Sequence, residues 1–315
     1  MKKLLVVGEI LVEIMADTVG DGFLLPQELT GPFPSGAPAI FADQAAMLGQ
    51  PVSIISTVGD DDFGRLNLDR LARDGVDISG VFVDPDRPTG SAFVRYRKSG
   101  GRNFIHNIRH SACGRVNMTA AARALLETAD HLHVTGSSLS SPEFVELNLD
   151  IAGRLRQRGG TVSFDPNLRR EMLSADGMAD AMARILALAD LYLPSGEELT
   201  LLTDATDPQA AVAELLERGV RTIVEKRGAE GAMYHDADGT IAQRAFPARE
   251  IDPTGAGDCF GATFTSLWLR DQPPDRALEM AAASGAIAVT RRGPMEGVTD
   301  QPALESFIRG HRGGS

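Results

Sequence analysis

Cysteine is nearly missing from this chain, with Cys113 and Cys259 as its only two. Two thiols cannot supply the disulfide framework of a small secreted domain or a cysteine-rich metal cluster, and a reducing cytoplasm fits such sparing use. The histidines His110, His131, His133, His235 and His311 show no metal-ligand spacing. Long apolar runs are missing too: nothing reaches the roughly 20 consecutive apolar residues that a membrane-spanning helix needs. The opening MKKLLVV starts like a signal peptide, but Gly8 and Glu9 interrupt it and no small-residue cleavage site follows, so it reads as a buried first strand. Positive charge is in deficit. The formal net charge is -12, and a phosphate backbone needs a basic surface, so neither nucleic acid nor a membrane is expected as a partner. A small phosphorylated ligand is not excluded, because backbone N–H groups and a few cations hold it locally. Repeats, low-complexity tracts and long linkers do not occur.

What is present is the make-up of a globular protein with a large core: 43% hydrophobic and 23% charged residues over 315 positions. One domain, 1–315, is expected. Apolar runs at 3–8, 52–59, 131–136, 161–167, 191–195 and 221–228 alternate with helical spacing at 39–49, 64–74, 119–128, 142–158, 177–188 and 208–218. That alternation predicts an α/β fold with a mostly parallel sheet. Residues 10–34 and 81–109 break the rhythm, alternating apolar and polar positions around a Gly-Gly turn as a solvent-washed hairpin would. They are expected to form a small β lid.

One segment concentrates chemistry: Asp252–Phe264, DPTGAGDCFGATF. A Gly-Ala-Gly turn feeding a helix aims successive N–H groups at one place, where the helix dipole adds about half a positive charge. That is an anion hole. Asp258 falls in the first helical turn, where an acid also serves as an ordinary cap. Cys259 follows it at the helix start, a position that tends to lower a thiol pKa, though packing is the favoured role.

The segment resembles the second signature of the PfkB, or ribokinase-like, family of sugar kinases. Other stretches resemble family landmarks in the expected order: SGAPAIFADQAAMLG from Ser35, STVGDDDFG, DPNLR at 165–169, PSGEE at 194–198, KRGAEGA at 226–232 and AIAVTRRG at 286–293. The resemblance implies a Rossmann-like three-layer α/β/α domain with a small β-sheet lid. It implies Asp258 as general base and the N–H groups of Gly255, Ala256 and Gly257 as the hole for the transferred phosphoryl group. Asp252 is expected to order the turn, with a monovalent cation such as K⁺ beside it, or to be a plain turn cap. For ATP, the family's Asn-x-x-Glu element is Ser195-Gly196-Glu197-Glu198 here, which leaves Glu198 to hold Mg²⁺ through water while Ser195 replaces the asparagine. Lys226, Gly228 and Gly231 would line the nucleotide, and the small residues from Ala282 would leave room for adenine.

On the acceptor side the resemblance points to Glu13, in place of the usual aspartate, and to Gly36, while Ile40 replaces an asparagine. Arg169 ends DPNLR, as in fructokinase-like and 2-keto-3-deoxygluconate-kinase-like members. Acid-sugar kinases resemble YYRKGSA where this chain has HNIRHSA, so Ile108 stands for their second arginine. His106 and Asn107 could bond neutral hydroxyls instead. The expected protein is a cytoplasmic ATP-dependent kinase of a tagatose- or fructose-type ketohexose, monomeric or homodimeric. The alternatives are a 2-keto-3-deoxy sugar acid kinase, a nucleoside or vitamin kinase, or a non-catalytic interaction protein.

Overall fold

Strand β1 (Leu4–Val7) is apolar at every position and buried throughout. Its Leu5 and Val7 join one apolar cluster, while Leu4 and Val6 join another. Successive strand side chains point to opposite faces, so helices must cover the sheet on both sides. The structure is a computed structural model that describes residues 1–99, 101–139, 141–168 and 177–312. Strands and helices are numbered in chain order.

β1 pairs in parallel with β4 (Val52–Gly59) on one side and β8 (His131–Thr135) on the other. The parallel run continues from β4 to β5 (Val81–Asp84), and from β8 through β9 (Thr161–Asp165) and β10 (Leu191–Tyr192) to β11 (Thr222–Lys226). Two antiparallel strands, β12 (Ala232–His235) and β13 (Thr240–Gln243), finish the far edge of a nine-stranded sheet ordered β13-β12-β11-β10-β9-β8-β1-β4-β5. Helices α3 (Ala120–Thr128), α4 (Pro142–Gln157), α5 (Met178–Leu186) and α7 (Pro208–Glu217) pack on one face, with the short α6 (Glu198–Leu201) among them. The other face carries α1 (Ala37–Met47), α2 (Asp62–Arg73), α8 (Ala256–Trp268), α9 (Pro274–Ala288) and α10 (Gln301–Arg312). These are the expected three layers. Among the described residues, no helix is long and apolar enough to cross a membrane.

Several helices begin where a short polar side chain precedes them. Asp61, Thr119, Ser141 and Asp207 each accept a hydrogen bond from the N–H three residues on, and proline opens α4 and α7, whose first N–H would be unpaired anyway. Helix α8 differs. Its cap is Gly255, which has no side chain to fill the role.

The lid is a second sheet, ordered β3-β2-β6-β7, built from β2 (Leu11–Ala16), β3 (Leu29–Ser35), β6 (Gly90–Tyr96) and β7 (Arg102–Asn107). One boundary needs correction. Residues 81–84, expected in the lid, pair with β4 as the edge of the large sheet, because their partly exposed side chains suit an edge strand as well as a hairpin.

Candidate active site

The site grows from the first turn of α8. Gly255 has φ of 80°, and a Cβ there would stand 2.2 Å from the carbonyl oxygen of Pro294, so only glycine fits. The helical ladder begins with Cys259 N–H bonding Gly255 O at 2.9 Å. The N–H groups of Gly257 and Asp258 therefore have no partner within the helix and carry its positive end outward.

The carboxyl ends of β9 and β11 converge on that turn, the place where open α/β sheets bind ligands. Lys226, last in β11, reaches within 3.8 Å of where a Cβ on Gly257 would stand. Its ammonium pairs with Asp165, last in β9, and both side chains are nearly buried. Burial works against the Lys226 charge, but Asp165 and then Glu198 outweigh it and hold its pKa above the ordinary value. Asn167 has a left-handed φ of 41° and donates its Nδ2 to Asp258 Oδ1 at 3.3 Å. The half-buried Asp258 thus lies beside both the helix N-terminus and a cation.

Glu198 accepts the N–H of Leu168 and of Ser195, each at 2.6 Å. Burial, then Asp165, push its pKa up against Lys226 and those N–H bonds. A carboxylate so placed fits Mg²⁺ held through water better than direct ligation, since both oxygens already have backbone partners. Ser195 bridges Lys226 by main chain, and Gly228 turns with φ of 54° beside open space. Two expected nucleotide contacts have other duties. A Cβ on Gly231 would stand 2.0 Å from Gln243 O, so this glycine lets β12 and β13 meet, and Ala282 is buried in the cluster between α8 and α9.

Asp252 is buried and orders the turn itself. Its Oδ1 accepts from Thr254 N–H at 3.0 Å and from the Tyr96 hydroxyl, and its Oδ2 accepts from Gly293 N–H at 2.9 Å. Cys259 is core. Burial pushes its thiol well up, opposite to the tendency of a helix start.

Of the residues expected to meet the acceptor, Gly36 has φ of 110°, and a Cβ there would meet Glu9 O at 2.4 Å. Buried Glu13 accepts from Ser35 Oγ at 3.3 Å. Glu13, Ala92 and His106 are partners across the lid, so their side chains share one face. Tyr96 and Arg102, paired on that same face, reach Asp252 and Thr254, so this face looks onto the site. Asn107 is the correction. It points to the opposite face, where its Nδ2 bonds Ser91 Oγ at 3.2 Å, because neighbours along a strand alternate. Both His106 and Asn107 border a cavity of about 650 Å³ with Thr89, Ser91, Arg109 and His110. Arg169 lies outside the described residues.

The parts that Asp165, Asn167 and Tyr96 play at this site were not expected from the sequence, where the first two stand only within DPNLR and Tyr96 only as a lid aromatic. Asp165 could have been, as an acid ending a strand just before Pro166. Tyr96 could not, since nothing local ties it to a partner 156 residues away.

A family profile described as pfkB family carbohydrate kinase matches residues 1–301. The chain is 32% identical over 319 residues to a 2-dehydro-3-deoxygluconokinase of Thermoproteus tenax, covering 98% of this chain and 95% of that one. It is 30% identical to a fructokinase of Vibrio alginolyticus, with 94% and 98% covered. Among solved structures, an E. coli protein provisionally named ribokinase II, in complex with ATP and Mg²⁺, superposes with a TM-score of 0.93 at 46% identity, over 99% of this chain and 100% of that one.

Proposed function

The chain belongs to the pfkB family of carbohydrate kinases and is an ATP-dependent sugar kinase with a ribokinase-like fold; on that premise we propose that its acceptor is a neutral ketohexose of the tagatose or fructose type. The observation that carries this reading is Glu13, a buried carboxylate on the site-facing side of the lid in one row with Ala92 and His106. Sugar hydroxyls donate to such a carboxylate, whereas a sugar acid brings a like charge against it. Ile108 in place of an arginine removes one cation that could offset the repulsion.

In this reading Asp258 takes the proton of the attacking hydroxyl, held in place by Asn167 Nδ2. The turn N–H groups of Gly255 and Gly257 receive the charge that develops on the transferred group, with the Lys226 ammonium beside them, while that of Ala256 bonds Pro253 O at 3.4 Å. ATP lies along Ser195, Lys226 and Gly228. Glu198 would hold Mg²⁺ through water, and the ion supplies charge neutralisation of the phosphates. K⁺ beside the Asp252 turn belongs to the same proposal, as does a cytoplasmic setting that keeps Cys113 and Cys259 reduced.

A second reading, a 2-keto-3-deoxy sugar acid as acceptor, is favoured by the 32% identity to a relative with that name. A coupled ADP-release assay across ketoses, aldoses, nucleosides and sugar acids separates the two. Neutral ketohexoses are expected to exceed 2-keto-3-deoxygluconate in kcat/KM by about 10- to 150-fold, the worth of one charge-assisted contact. The reverse order would overturn the ketohexose reading.

A further inference from the structure

The turn that forms the anion hole is held from two directions, and one of them is the lid. From below, Asp252 Oδ2 accepts Gly293 N–H at 2.9 Å, and the carbonyl of Pro294 backs the Cα of Gly255. From above, the Tyr96 hydroxyl donates to Asp252 Oδ1 and lies 3.3 Å from Thr254 Oγ1, while Arg102 Nη1 donates to the same Oγ1 at 3.1 Å. Tyr96 and Arg102 are not neighbours by accident of rotamer. They are cross-strand partners, Tyr96 at the end of β6 and Arg102 at the start of β7, so one pair of hydrogen-bonded strands delivers both groups to one turn.

We propose that Tyr96 and Arg102 are positioning residues for phosphoryl transfer, a cross-strand latch through which the docked lid fixes the Asp252–Gly255 turn and so the aim of its N–H groups. The inference rests on the assignment of that turn as the anion hole, and not on which sugar is the acceptor. The chemistry of each group suits the task. Asp252 has four lone-pair positions, and its Thr254 and Gly293 bonds fix the plane of the carboxylate, which leaves Oδ1 a further direction for a donor from the lid. Burial, then the bond to Asp252, push the Tyr96 phenol above its ordinary pKa, so it remains a donor throughout the working range of pH. Arg102 is exposed along its length yet spends its planar head on Thr254, a contact that adds little to stability at a surface and something to geometry. A hole misaimed by a fraction of an ångström loses transition-state stabilisation while ground-state binding of ATP and sugar is retained.

The test uses the full chain, ATP with Mg²⁺, and the fastest acceptor of the sugar panel, with D-fructose tried first. Tyr96→Phe keeps the ring and removes the hydroxyl. It is expected to lower kcat about 10-fold while both KM values stay within about 2-fold, the split that marks loss of an interaction acting in the transition state. Arg102→Met should lower kcat about 3-fold, and the double variant should fall short of the product of the two, because both act through one turn. Parental kcat in both single variants, or a rise in KM with kcat unchanged, overturns the latch. If Tyr96→Phe does not fold, the surface variant Arg102→Met decides by itself on the same criterion. Asp258→Asn run in parallel keeps the outcomes apart: an inactive Asp258→Asn beside fully active Tyr96→Phe and Arg102→Met discards the latch and spares the kinase site, whereas an active Asp258→Asn discards the site reading itself.

Discussion

Asp258 stands in the first turn of α8, where an acid serves either to complement the helix's positive end or as a base, and one substitution separates the two duties. Asparagine keeps the size and can still accept from Asn167 Nδ2, but it takes up no proton. If Asp258 is the base, Asp258→Asn should lower kcat by about 10²–10⁴, a barrier increase of roughly 3–5.5 kcal/mol, in a protein that unfolds at the parental temperature and still binds ATP. Turnover near the parental rate would show a first-turn acid that serves the helix and nothing more. At this scale the sequence spoke clearly wherever local geometry forces the residue. Gly255 was legible because a left-handed turn backed by the Pro294 carbonyl admits only glycine. The Lys226–Asp165 pair was not, since it joins strand ends 61 residues apart and each residue alone reads as a charged strand terminus. Asn107 was grouped with His106, yet its side chain takes the opposite face of β7, because neighbours along a strand alternate.

Among elements, the lid carries the next expectation. β7 is its exposed edge, whereas β2 at its centre is largely buried, so protection of backbone amides should differ strand by strand before any ligand is added. Sugar closing beneath the Glu13–Ala92–His106 row should slow hydrogen exchange in β6 and β7, because a lid over the acceptor keeps out water that would otherwise take the phosphoryl group. Unchanged exchange in those two strands at saturating sugar would mean a lid that does not respond. The buried parallel strands and the helices between them were readable from apolar runs and from helical spacing. The pairing of β2 with β6 was not. A parallel pair drawn from residues 11–15 and 90–94 leaves no turn signal between its strands, and the same blindness sent 81–84 to the wrong sheet.

For the whole molecule, the centre of the sheet makes stability depend on pH. His131 bonds Thr161 Oγ1 and Ser163 Oγ at 2.8 Å each, and His133 shares Ser163 Oγ at 2.8 Å, with both imidazoles buried. Burial lowers the His131 pKa from 6.5 to about 3 and that of His133 well below 6.5. Above 6.5 both histidines are neutral folded or unfolded and cost nothing. As pH falls through 6.5 the unfolded chain takes up protons that the native state refuses, so each buried histidine removes about 1.4 kcal/mol of stability per pH unit. Asp43 works the other way, since burial, opposed by Arg70, lifts it to about 8. The histidine share is therefore read as a difference. Urea unfolding should show His131→Gln losing about 2 kcal/mol less than the parent between pH 7.5 and 5, nearly all of it below 6.5, and identical losses would refute the assignment. The position of β1 has a further consequence, one of timing. Its partners are β4 on one side and β8 on the other, with Leu4 aligned to His131. On a ribosome adding about 5–20 residues per second, the second partner emerges roughly 6–25 s after the first strand. During that interval the nascent chain holds out LLVV, a strand destined for burial on both faces, with one hydrogen-bonding edge unfilled, and the speed at which the codons up to Thr135 are read sets how long other chains have to find it.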